Sequence, residues 1–506
     1  MDERAKIRVT LPRENPTSSY WQDPLDDIAD QRTTKDLPDR ADIVIIGSGI
    51  TGAAIAWNLL KDVKPGETGP RNIVMLEARQ ACSGATGRNG GHTKAASYRS
   101  FLEHASLLGT PAAVQIARLE YDNIQAVHAF AKEHNIPCDS NPCHTIDIIY
   151  SETQWTAAHE AVSAMKAAFP TGDPVAEYTF HSPAEVQSKF HCALDAGTVA
   201  ACGQTQTLYG GVSYPAGSIS SYAFTTGLLK LCLSRGLNLQ TNTPATSLMK
   251  NRDERTWTVQ TPRGNIWTRD IILATNGYTA AIAPTFQGVI VPLRGQVTAQ
   301  RPGSKIPEKG CLPTTYSFIY DKGYEYMIPR PKGSRNEGDL VIGGGLVKAK
   351  EDGLEEYGTT DDTTVNEEIS RYLADTLTRY FGGGDGKGNW GEDHPDGRVR
   401  NEWTGVRNEW TGIMGYTPDG FPMVGAVPGD NGFWMSCSFQ GHGMVLCWMC
   451  AKALVEMMEG RDNEELKGWF PEVFRVGFER MRKKFLGRLH TSVAVPPGPP
   501  VGGESR

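Results

Sequence analysis

Several things are missing from this chain of 506 residues, and each absence excludes something. No apolar run approaches the roughly 18–20 residues that a helix needs to cross a bilayer. Basic clusters are missing too: the net charge is −7 and the pI about 5.9, which speaks against a nucleic-acid-binding face. The opening residues, MDERAKIRVTLPREN, contain no apolar core of a secretory signal, and the closing GESR matches neither a peroxisomal nor an ER-retention tail. The expected compartment is therefore cytoplasmic. Ten cysteines fall at no repeating interval, so they read as buried thiols rather than a disulfide framework. Cys138, Cys143 and His144 have no second ligand pair at zinc spacing, and Cys447 and Cys450 share one face of an apolar helical run. No metal site is expected.

Glycine, by contrast, is abundant, and its placement carries the first functional signal. The segment ADIVIIGSGITGAAIAWNLL reads as a β-rich apolar strand, a glycine turn and a helix, followed through a Pro/Gly connector by a second strand, IVMLEA. In this βαβ unit Gly47, Gly49 and Gly52 form a GxGxxG at the strand-to-helix turn. Gly47 permits the tight turn, Gly49 a close backbone approach to a pyrophosphate, and Gly52 close helix–strand packing. Ile50 and Thr51 open the helix whose free N–H groups face the phosphates. Glu77, 25 positions after Gly52, ends the second strand where a ribose hydroxyl would be bound, with Ala78 and Arg79 beside it.

The loop after the second strand separates FAD from NAD. An NAD enzyme would run on into another βαβ unit, whereas this chain continues CSGATGRNGGHTK over residues 82–94. Ser83, Gly84, Ala85, Thr86, Asn89, Gly90 and Gly91 offer small side chains and free N–H groups to a pyrophosphate and a flavin ring. Arg88 adds positive charge.

LEARQACSGATGRNGGH, LRGQV (293–297), WTGIMGYTPDGFPMVG (410–425) and SFQGHGM (438–444) occur in the order seen in FAD-dependent oxidoreductases of the D-amino-acid oxidase superfamily. The chain resembles that superfamily, and most closely its γ-glutamylputrescine oxidase branch, over roughly residues 38–460. The resemblance implies an α/β fold: a discontinuous, Rossmann-like FAD-binding domain plus a mixed-sheet α+β substrate domain. The FAD-binding domain would comprise 38–100, 205–285 and 396–460, and the substrate domain 101–204 and 286–395. An arm (1–37) would precede them and an extension with a disordered tail (461–506) would follow. It also implies adenine contact at the Ala245 backbone and a place near the cofactor phosphates for Asn276. Non-covalent FAD is expected, because Gly412 stands where sarcosine-oxidase-like relatives carry the linking cysteine and His92 is displaced from the histidine that links the flavin in others. Gly441, His442 and Gly443 are read as the start of a helix aimed at the flavin N1–C2=O edge, where it would stabilise negative charge.

The implied chemistry is oxidation of a small-molecule amine or amino acid, with hydride passing to the flavin and the imine then hydrolysing. Dioxygen or another acceptor would reoxidise the cofactor. In YEYMIPRP (324–331) strand alternation places Tyr324, Tyr326 and Arg330 on one face, Tyr326 as a wall for the amine and Arg330 as a carboxylate partner. Trp410 is expected to wall the flavin. The lysine that promotes oxygen reactivity in sarcosine-oxidase-like relatives is matched by Val341, leaving Lys348, Lys94 or His92 as substitutes. A tandem echo, NEWTGVRNEWTG (401–412), has no physical explanation.

Overall fold

A computed structural model describes residues 1–67, 69–198, 205–251, 256–306, 312–382, 388–395, 397 and 408–487. The glycine turn is framed as the sequence requires. Arg40–Ile46 is a strand in which Val44 and Ile45 are fully buried, and it runs parallel to Ile73–Leu76 on one side and Gly264–Leu273 on the other. β-Branched residues suit a strand that is covered on both faces. The helix Ile50–Leu60 buries Ala53, Ala54, Ile55 and Ala56, whose small side chains allow the helices Ser221–Leu233 and Cys447–Met458 to pack closely on it.

These strands belong to an eight-stranded sheet in the order Ser247–Lys250, Trp257–Thr261, Gly264–Leu273, Arg40–Ile46, Ile73–Leu76, Asn238–Gln240. Phe433–Cys437 joins in parallel beside Gly264–Leu273, and Met423–Ala426 pairs with it. A second, mixed sheet of nine strands runs Glu409–Tyr416, Val291–Gln300, Leu340–Gly343, Gly323–Pro329, Thr315–Tyr320, Asn141–Ile149, Gly210–Ser218, His92–Thr93, with Thr179–His181 on the Gly210–Ser218 strand. Tyr98–Leu108 and Thr110–Glu133 are two consecutive helices, joined at Gly109, that pack on each other.

Three strands from the stretches assigned to FAD binding, His92–Thr93, Gly210–Ser218 and Glu409–Tyr416, pair in this second sheet. Residues 210–217 carry three glycines and a proline, yet they form a strand. A Cβ on Gly217 would lie 2.5 Å from His128 Nε2, so its glycine makes room for a neighbour's side chain rather than for a turn. The helix expected to begin at Gly441 starts at Cys447; a 3-10 turn, Gly443–Val445, precedes it, and Leu446 breaks the helical geometry. The first half of the tandem echo and the C-terminal tail lie outside the described residues.

The N-terminal arm is mostly extended but firmly packed. Tyr20 and Trp21 are buried, Tyr20 stacks on Trp410 at 6.0 Å between ring centroids, and Ser19 Oγ donates to the Gly87 carbonyl. Among the described residues no helix is long and apolar enough to cross a membrane.

Candidate functional site

Both sheets contribute to one cavity of about 1610 Å³, lined at one end by the carboxyl ends of the parallel strands at Ile46, Leu76 and Ala274. Ligands of open α/β sheets bind at that edge. The glycines account for the shape. Gly47 has φ +110, and a Cβ there would meet the Ala274 carbonyl oxygen at 2.5 Å; on Gly52 it would meet the Gly47 oxygen at 2.0 Å. Gly49 caps the helix, and the Ile50 N–H donates to Thr86 Oγ1 at 3.1 Å, which ties the glycine turn to the 82–94 loop.

Glu77 is held by this turn on one side and by its own strand end on the other. Its Oε2 accepts from the Ser48 hydroxyl at 2.6 Å and its Oε1 from the Arg79 N–H at 3.0 Å. Gly47, Gly49, Ile50, Thr51, Glu77, Ala78, Arg79, Gly84, Ala85, Thr86, Arg88, Asn89 and Gly90 line the cavity, joined by Ala245, Asn276, Gly412, Gly441, His442 and Gly443. Gly52, Ser83 and Gly91 do not line it and act behind it. The Ser83 carbonyl accepts from Arg88 Nε at 2.9 Å, and Gly91 (φ +80) leaves room for the Trp21 ring and the Ile219 carbonyl.

The charge of Arg88 is spent inside the protein. Its Nη1 donates to the Thr411 carbonyl at 2.9 Å and to Thr17 Oγ1 at 3.1 Å, and burial lowers its pKa to about 10. Arg79 forms a bidentate pair with Asp362 at 2.9 and 3.1 Å. These contacts hold the loop rather than presenting cations to a ligand. The cradle has the bare backbone, the fixed turn and the ribose-side carboxylate that a dinucleotide cofactor requires.

At the other end, side chains form the wall. His92 Nε2 lies 2.6 Å from Thr315 Oγ1, and burial together with the Lys94 charge holds its imidazole well below the usual pKa. Lys94 pairs with Asp147 and donates to Ser317 Oγ at 2.6 Å; Tyr98 and Tyr214 donate to the other oxygen of Asp147 at 2.7 and 3.0 Å. Tyr326 fits between Gly90 and Gly343, where an added Cβ on either would fall 2.3 Å from its ring or hydroxyl.

Two expected wall residues sit elsewhere. The strand ends at Pro329, so the alternation does not reach Arg330. That side chain is buried, donates to Asp139 Oδ2 at 2.6 Å and covers the Trp21 ring at 4.8 Å. Trp410 is fully buried behind the loop, with its indole N–H donating to the Arg88 carbonyl at 2.7 Å. Neither lines the cavity. Val341, at the lysine-matched position, is fully buried core. Lys348 stands over the Tyr372 ring at 4.8 Å.

Two residues of the wall escape the sequence reading. Arg99 lines the cavity with an exposed side chain over the Tyr324 ring at 4.9 Å, and no carboxylate lies within ion-pair distance of it among the described residues. Glu120 also lines the cavity and interrupts an apolar helix face formed by Ile116, Ala117, Ile124 and Val127. The signal for the first is a second cation following Lys94; for the second it is a carboxylate on a core-facing stripe.

Residues 42–457 match the FAD dependent oxidoreductase (DAO) family, and the chain belongs to it. It is an FAD-dependent oxidoreductase with an α/β fold of that type. The probable oxidoreductase OrdL of Rhizobium meliloti is 22% identical over 434 residues, covering 84% of each chain. Human mitochondrial dimethylglycine dehydrogenase is 21% identical over 429 residues, which is 80% of this chain but 41% of that protein. Among solved structures, glycine oxidase from Geobacillus kaustophilus superposes with a TM-score of 0.62 at 18% identity, covering 87% of this chain and 99% of that one. L-amino acid deaminase from Proteus myxofaciens gives 0.63 at 14% identity, covering 94% and 100%.

Proposed function

We propose that the protein oxidises the C–N bond of a small amine or amino acid, using non-covalently held FAD. Support comes from the cavity itself: beyond the glycine cradle it is walled by Tyr324, Tyr326, His92 and Arg99. The observation that carries the reading is Arg99, a cation open to the cavity and lacking a carboxylate partner among the described residues. It would hold an anionic end of the substrate by charge-assisted hydrogen bonds. Bound FAD supplies a hydride acceptor. The chain's part is to orient the substrate C–H, through Tyr326 and Arg99, and to keep bulk water from the chamber. The relatives act on such substrates by name, among them glycine, dimethylglycine and L-amino acids. The finer kinship with γ-glutamylputrescine oxidases, drawn from the motifs, belongs to the same reading.

Anaerobic mixing of the yellow protein with glycine, sarcosine, N,N-dimethylglycine, L-proline and n-butylamine tests it. At least one is expected to bleach the flavin, and bleaching by none would defeat the proposal. Acid precipitation is expected to leave the colour in the supernatant. A second reading, dehydrogenase rather than oxidase, is favoured by the apolar Val341 at the lysine-matched position. Slow return of the yellow colour on admitting air would support it; return within a turnover time would support the oxidase.

A further inference from the structure

Glu120 is a carboxylate in a place where a helix normally keeps apolar residues. It lies one turn beyond Ile116 and one before Ile124 on the helix Thr110–Glu133, and its side chain is almost entirely shielded, at 8% exposure. The Ser97 hydroxyl donates to its Oε2. No Lys, Arg or His lies within 4 Å of it among the described residues, and it lines the same cavity as the glycine cradle. A carboxylate buried without a cationic partner is held close to neutralisation, so one on a cavity wall can take a proton from what the cavity holds.

The neighbours are fixed in ways that leave this role to Glu120. Three residues further along the same helix, Asn123 donates to the Met444 carbonyl at 3.1 Å and accepts from the Met449 N–H at 3.0 Å, so this helix face is locked to the QGHGM segment. From the Tyr98–Leu108 helix, Glu103 and His104 share the cavity wall, and His442 lies ahead of the 3-10 turn. Tyr178 packs on Tyr98 at 5.4 Å and feels the Glu120 charge. Lys94 is held by Asp147, and Arg99 lies over Tyr324.

We propose that Glu120 receives the reacting nitrogen of the substrate and takes its proton, so that the amine is neutral when its C–H bond is broken. The substrate enters as an ammonium ion, R–NH₃⁺. One proton passes from nitrogen to the carboxylate, leaving R–NH₂ and Glu120–COOH, and the C–H electron pair then leaves as the hydride that the proposed oxidation requires. This rests on the amine-oxidation reading and adds a direction to it: nitrogen toward Glu120, which Ser97 holds from behind, and any anionic end toward Arg99. Burial, opposed by the Ser97 hydrogen bond, raises the Glu120 pKa to about 7, which suits a group that must take and return a proton near neutrality.

The test compares FAD-loaded wild type, Glu120→Gln and Ser97→Ala. Flavin content is read from absorbance, and anaerobic bleaching by saturating n-butylamine or sarcosine is followed between about pH 5.5 and 9.5. The wild-type rate is expected to rise with pH through a limb near 7, where Glu120 loses its proton. Glu120→Gln is expected to bleach ~10²-fold more slowly at neutral pH. Its limb should move toward the amine's own range near ~10. Ser97→Ala removes a hydrogen bond that favours the carboxylate, so its limb should shift to higher pH. A Glu120→Gln rate within about threefold of wild type, with the limb unmoved, overturns the proposal. Should that variant fail to hold FAD, an unmoved limb in Ser97→Ala overturns it equally. Absence of bleaching in wild type defeats the amine-oxidation reading, and this inference falls with it; bleaching with unmoved limbs defeats the inference alone.

Discussion

The two ends of the cavity are built on different principles. At the cradle, shape comes from side chains that are absent: Gly47 and Gly52 let backbone meet backbone, and the charged side chains of the loop, Arg88 and Arg79, turn inward to brace it. In the chamber, shape comes from side chains that are present, with Lys94, Asp147, Tyr98 and Tyr214 knit into one buried cluster and Arg99 and Glu120 on the cavity wall. A backbone-built site has little freedom to change what it binds. A side-chain-built site can be retuned one residue at a time, which fits a family that shares a cofactor while its members are named for different substrates.

That contrast can be tested by breaking each end separately. The largest effect is expected from Asp147→Ala, which leaves the Lys94 ammonium buried without its partner and should cost about 3–5 kcal/mol of stability. Denaturant unfolding measures it, and the protein that does fold should still be yellow. Gly52→Ala is expected to act at the other end. The new methyl cannot avoid the Gly47 carbonyl, so about 1–3 kcal/mol of strain should appear together with loss of most bound FAD on gel filtration. If Gly52→Ala kept its flavin and Asp147→Ala lost it, the division between the two ends would be wrong.

Arg99→Ala should leave flavin content untouched. For a carboxylate-bearing substrate it should raise KM by roughly 30-fold, the equivalent of about 2 kcal/mol for a charge-assisted contact. For n-butylamine it should change little, and an equal effect on both substrates would remove Arg99 from the substrate site.

At neutral pH the smallest effect is that of His128, which shows itself only as the pH falls. Burial pushes His128 down to about 4, and its ring contacts Thr93 Oγ1 at 2.8 Å and Ser140 Oγ at 2.7 Å. The unfolded histidine binds a proton below ~6.5, whereas the folded one does so only below about 4. Between those values falling pH therefore removes stability, by roughly 1 kcal/mol per unit. Melting temperatures from pH 7 downward should show it, and His128→Gln should flatten that part of the curve.

The same contrast explains what is legible in the sequence. Each cradle glycine answers a constraint that the strand–turn–helix order makes visible, and the Pro/Gly connector does not hide it. Even the FAD preference emerges from residues 82–94 alone. The chamber depends on which helix faces meet, and on where strands stop. Alternation puts Arg330 on the wall only when it is carried one residue past the end of the strand at Pro329. Trp410 is expected beside the flavin, but its strand turns that ring toward Tyr20 and the back of the loop. Glu120 is legible as a break in an apolar stripe, but what lies opposite depends on the contact of Asn123 with the QGHGM segment, 321 residues away from it.

The brace behind the cradle also sets an order of assembly. Arg88 completes its hydrogen bonds only with Thr411, and Thr17 reaches the same residue 394 positions away. During synthesis, the glycine loop is therefore made more than three hundred residues before its rear support exists. Until the Glu409–Tyr416 strand has emerged, Arg88 lacks the carbonyl that braces this loop from behind. The rear of the cradle is thus a late, long-range contact, while its front is a local one.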